Sequence, residues 1–90
     1  MDKGKYIIVE TNCVNPILFP CTIEHGSFLE IFNRQCILSA GFFEVMAEPN
    51  EKDPNDISVA VWGKSTSLNL YSREDDARLI KNLLRQPMRF

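Results

Sequence analysis

The stretch ISVAVWGKSTSLNL, residues 57–70, decides how the second half of this chain folds. Its Gly63-Lys64-Ser65 matches the end of a phosphate-binding loop, G-x-x-x-x-G-K-[ST], in which backbone amides at the start of a helix cradle phosphate oxygens. The remainder of that motif does not follow. Ser58 stands where the first glycine belongs, and Val59-Ala60-Val61-Trp62 is too bulky and β-branched to wrap a phosphate. The residues after Ser65 alternate as a strand does and open no helix. A nucleotide site is therefore not expected.

A two-residue turn at Gly63-Lys64 predicts an antiparallel hairpin instead, because glycine is favoured at the first turn position of type II′. In that register Trp62 faces Ser65 and Val59 faces Leu68. Ile57, Val59, Val61, Thr66, Leu68 and Leu70 then share one face, and Ser58, Ala60, Trp62, Ser65, Ser67 and Asn69 share the other. Such a division suits two strands covered on one side only.

Working outward, residues 5–11 (KYIIVET) are β-branched and aromatic and predict a strand. Asn12, Asn15 and Pro16 turn the chain, and Ile17-Leu18-Phe19 predicts a short second strand closed by Pro20. Ser27-Phe28-Leu29-Glu30 has the S-x-x-E form of a capping box, which predicts a helix of about two turns over 27–33; so short an apolar run is also compatible with a strand. Residues 36–48 (CILSAGFFEVMAE) are apolar on both alternating faces and predict a central strand, with Gly41 marking a bulge or a close backbone approach. PNEKDPND (49–56) is an exposed loop.

The C-terminal segment carries the strongest helical signal. Ser72 is a suitable N-cap, Glu74, Asp75 and Asp76 fill the positive end of the helix dipole, and Pro87 stops the helix. Ala77, Leu79, Ile80, Leu83 and Leu84 form one apolar stripe. The expected fold is α+β: a single domain over residues 1–90, with an antiparallel sheet of about five strands in the order β-β-α-β-β-β-α. The C-terminal amphipathic helix is expected to cover Ile57, Val59, Val61, Leu68 and Leu70.

Composition bounds the function. Ninety residues at a formal net charge of −2 do not make a general nucleic-acid binder, which usually carries a basic surplus. No apolar run approaches the roughly 18 residues a membrane span needs, and the run at Tyr6–Val9 is too short for a signal peptide, so a cytoplasmic location is expected. Cys13, Cys21 and Cys36 are odd in number and contain no CxxC pair, which predicts reduced thiols. With His25 they are separated by seven, three and ten intervening residues, lacking the short knuckle of a zinc site. A Cys–His nucleophilic pair, or an acidic centre at Glu44 and Glu48, is the enzymatic alternative. His25 is expected at the surface or beside the cap. No catalytic, cofactor or metal residue is therefore assigned.

Two binding surfaces remain. Trp62 with Ser65, Ser67 and Asn69 on the polar hairpin face offers a natural anchor for a partner protein; packing of Trp62 under the 49–56 loop is the alternative. Arg78, Lys81 and Arg85, with Arg89 in the tail, form a basic group that could contact nucleic acid or simply complement the helix dipole. The first surface is preferred. The chain is read as a non-enzymatic protein-interaction or accessory module, with homodimerisation expected because small sheets leave edges to be paired.

The stretches Ser39–Phe43 and Gly63–Ala77 resemble small uncharacterised bacterial proteins often found among prophage or mobile-element genes. The resemblance covers about the last two thirds of the chain. It implies an accessory protein that binds a host or phage macromolecule, and it brings no site residues with it.

Overall fold

A computed structural model describes residues 2–85. Four antiparallel strands form the main sheet: β1 (Lys3–Glu10), β2 (Val14–Phe19), β3 (Ile37–Ala47) and β4 (Ile57–Trp62), in the spatial order β2-β1-β3-β4. A two-stranded ribbon, β5 (Lys64–Ser65) and β6 (Leu70–Tyr71), precedes the C-terminal helix α1 (Glu74–Arg85). The expected α+β architecture, with an antiparallel sheet and a helix packed on it, is what the chain adopts.

β1 is apolar on both sides because it is covered on both sides. Tyr6 and Ile8 enter one core with Phe43, Val59, Val61 and Ile80 of α1. Ile7 and Val9 enter the other with Phe19, Ile37, Ala40 and Leu68. The second core is roofed by a 3₁₀ turn at His25–Glu30, whose Phe28 packs into it, and by the β5–β6 ribbon folded back over β3. β3 serves both cores by alternation, and a shift in register near its start, where Ile8 pairs with Ser39 but Val9 pairs with Ile37, leaves Leu38 as the extra residue. Ile37 enters one core and Leu38 packs against the other. At Gly41 the close approach is to backbone, since a Cβ there would lie 2.7 Å from the Trp62 carbonyl oxygen.

Three sequence expectations are corrected. The 57–70 hairpin does not form: β4 pairs with β3, and Ser65 pairs with Leu70 rather than facing Trp62. Gly63, at φ +81°, turns the chain out of β4, and Asn69, at φ +53°, turns it again before β6, so two left-handed residues break what alternation suggested was one ladder. Leu68 and Leu70 consequently pack on the face opposite α1. The 27–33 segment is not an α-helix. Its start at His25 draws on no side-chain cap, and its narrow 3₁₀ form swings Phe28 inward where a longer helix would stand clear.

Within α1 the stripe is narrower than expected. Ile80 is wholly buried and Leu79 packs beside it, while Leu84 is 42% exposed. The half of a capping box that forms at its start comes from Asp76, whose carboxylate accepts the Arg73 amide at 2.8 Å, in place of the expected Ser72 cap. The 49–56 loop is tied to the other end of the helix, where Arg85 reaches Asp53 and Asp56, each at 3.0 Å.

Ile80→Ala is expected to cost about 2–5 kcal/mol in urea unfolding because it opens a cavity under β1. Leu84→Ala, on the exposed shoulder of the same helix, is expected to cost under about 1 kcal/mol. Equal costs would contradict this docking of α1.

Candidate functional site

Across the face opposite α1 the register brings Phe19, Lys5, Phe42 and Trp62 into one row, each directly opposite the next on the neighbouring strand. Phe19 and Phe42 of that row hold His25. Its ring meets Phe19 edge-on at 5.4 Å and Phe42 edge-on at 6.0 Å, and only 4% of the residue is exposed. His25, expected at the surface or beside the cap, does follow the cap residue Glu24, but its ring is buried in the core. The aromatic neighbours that bury it come from two separate strands, which no local pattern could reveal.

His25 Nε2 lies 2.9 Å from the Gly41 carbonyl oxygen, which can only accept, so Nε2 carries the proton. Burial holds the imidazole below its ordinary pKa; the Gly41 bond opposes this in part, and the nearby Lys5 charge adds a smaller push in the same direction as burial. The ring is a neutral donor wedged into the sheet.

Beside it opens a cleft of about 410 Å³, lined by Lys5, His25, Phe42, Lys64, Thr66 and Ser67 among others. Glu24 is its carboxylate. Lys5 is steadied by donating from Nζ to the Ile23 carbonyl at 3.1 Å, and the Lys64 ammonium sits 5.8 Å from the centre of the Tyr71 ring. The wall is closed by Ser67, whose hydroxyl accepts the Gly26 amide at 3.1 Å. A Cβ on Gly26 would press on Ser67 at 3.2 Å.

Trp62 packs on Phe42, one of the residues that line the cleft. Its ring stacks on Phe42 at 6.2 Å with an interplanar angle of 19°, yet 47% of the residue is exposed. Gly63 allows this corner, since a Cβ there would meet the Phe42 ring at 2.9 Å. Tyr71 is 63% exposed on the adjoining ribbon.

Of the residues singled out from sequence, Trp62 is presented to solvent and Ser67 lines the cleft. Ser65 also borders the cleft but is buried, and its hydroxyl accepts the Leu68 amide at 3.2 Å and bonds with Ser67 at 3.3 Å, holding the ribbon's turn. Asn69 is exposed and supplies the left-handed backbone turn. The common polar face expected for these four therefore divides: Trp62 stays on β4, and the others lie on the ribbon. Lys5, Phe42 and Lys64 were not anticipated, and His25 enters the cleft without the thiol that a Cys–His pair would need.

The basic group is largely engaged. Lys81 lies 3.5 Å from Asp56, Arg85 bridges Asp53 and Asp56, and Arg78 lies 3.8 Å from Asp75. The Ile57 amide, followed by Lys81 and Arg85, holds the Asp56 carboxyl below its usual range. Arg89 lies outside the described residues. None of the three thiols borders the cleft, and among the described residues no group of His, Cys, Asp and Glu side chains could hold a metal ion. Among them, too, no helix is long and apolar enough to cross a membrane.

Comparison with protein families, curated proteins and solved structures finds no match to this chain.

The lowered pKa of His25 fixes the sign of a pH effect. As pH falls below the ordinary value of 6.5, the unfolded chain takes up a proton that the folded chain resists, so stability is complete above 6.5 and declines below it. His25→Gln, which keeps a donor for Gly41, should flatten the dependence of unfolding free energy below about pH 6.5. An unchanged slope would show that His25 is not the buried titrating group.

Proposed function

We propose that this chain is a non-catalytic protein-interaction module whose contact surface is Trp62 with the cleft beside it. The observation that carries the proposal is the state of Trp62: half-exposed, yet held in one orientation by Phe42 beneath and by the backbone corner at Gly63. An aromatic ring already ordered before binding loses little conformational freedom on contact and buries a large area. Tryptophan is among the residues most enriched at the energetic centres of interfaces.

The chemistry of the cleft favours a particular kind of contact. Lys5 and Lys64 face it against the single carboxylate of Glu24, with the hydroxyls of Thr66 and Ser67 between them. An acidic side chain of the partner, lying next to an apolar one set against Trp62, complements that arrangement. The nucleic-acid alternative receives less support, because Lys81 and Arg85 already face loop carboxylates.

Trp62 is the only tryptophan, so its emission reports on this surface directly. A partner recovered with the intact chain is expected to shift that emission on titration. Trp62→Ala should weaken its binding by about 30-fold or more while leaving the far-ultraviolet dichroism unchanged. Equal binding by the wild type and a folded Trp62→Ala variant would overturn the proposal.

A further inference from the structure

The two edges of the main sheet are built differently. β2 carries Pro16 within the strand and ends before Pro20, and proline has no amide to offer an incoming chain. β4, Ile57–Trp62, has no proline, no glycine and no charged side chain over its whole length, and among the described residues it pairs with β3 alone. Its outer row of amides and carbonyls is left without the charges, bulges or prolines by which sheet edges are ordinarily blunted. The face it shares with β3 away from α1 is also open: Ser58, Ala60 and Trp62 lie opposite Met46, Glu44 and Phe42, and Met46 is 46% exposed.

From this edge we infer that β4 pairs with β4 of a second copy of the chain, antiparallel and centred on Ala60, to join two four-stranded sheets into one of eight. The pleat restricts the register to a centre on a single residue, and Ala60 is the smallest side chain of the strand. Residues directly opposite one another must share a face, so a two-fold axis has to pass through a residue and not between two. Centred on Ala60, Val59 lies opposite Val61 of the second copy and extends the apolar layer under the two helices. On the other face Trp62 lies beside Ser58 of the second copy. No like charges meet, because the strand has none. A second copy also matches the segment in apolar character and length by necessity, which an arbitrary partner strand does not. Both Trp62 corners then sit on the same open face of the joined sheet.

Two measurements on the full chain test this. Sedimentation equilibrium over on the order of a hundredfold range of concentration should show the mass rising toward twice that of the monomer. In a background with Cys13, Cys21 and Cys36 changed to serine and its fold checked by dichroism, Ala60→Cys should form a disulfide dimer under mild oxidation. The opposed Cα atoms of such a pair lie about 4.5–5.5 Å apart, within disulfide reach. Ser58→Cys should not, because in this register the two Ser58 residues are separated by four residues along the strand, about 13 Å. A wild-type chain that stays monomeric throughout would overturn the inference. So would cross-linking at Ser58 as rapid as at Ala60, which would place the contact elsewhere.

Discussion

The Tyr6 hydroxyl donates to the Asp76 carboxylate at 2.6 Å, and the rest of the structure depends on that bond. Both residues are completely buried. A carboxylate with no access to water is strongly unfavourable unless its oxygens are filled, and here they are. Besides the phenol, Asp76 accepts the Arg73 amide at 2.8 Å and the Arg73 guanidinium at 3.2 Å. Burial first, and Asp76 second, push the Tyr6 phenol above its ordinary pKa, so it keeps its proton and remains a donor. One bond thus fixes the middle of β1, an inner strand of the sheet, to the first turn of α1. Gly41, directly across from Tyr6, leaves its ring room to lie there, with an added Cβ only 3.4 Å from Cε1.

The surface features follow from this anchor. With α1 starting at Glu74, the chain entering it must come back across β3 from the ribbon, and the Ser72 amide donates to the Gly63 carbonyl at 3.0 Å. Gly63 is held, Trp62 is set on Phe42, and Lys64 is turned toward both Tyr71 and the cleft. The exposed aromatic corner is therefore the outermost part of a rigid series that begins in the core. Ser39 shows that the packing has priority over polar satisfaction, because its buried hydroxyl has no partner among the described residues.

Much of this was legible in the sequence, wherever the physical cause is local. The two-sided apolar pattern of residues 36–48 identified a central strand, the composition of 49–56 a loop, and the acidic first turn with its leucine stripe the helix. The pairing of 57–70 was not legible. Alternation shows that neighbouring side chains point to opposite sides, but it does not name the strand that lies alongside. Gly63 was consistent with a hairpin turn and in fact diverts the chain away from β4. The cover of the second face was not legible for the same reason, since a sheet covered by 3₁₀ turns and a short ribbon lacks the helical periodicity that announces a covering layer. His25 and Lys5 became a site only once Phe19 and Phe42 arrived from separate strands.

A double-mutant cycle with Tyr6→Phe and Asp76→Asn, followed by urea unfolding, tests most directly whether this buried bond anchors the fold. The account predicts that the two substitutions are non-additive, with a coupling energy of about 1.5–3 kcal/mol as befits a hydrogen bond to a buried charge. It also predicts that Tyr6→Phe alone weakens the protection of α1 amides against exchange. Additive effects within about 0.5 kcal/mol would contradict it, and would place the anchor of the helix in the apolar contacts of Ile80 alone.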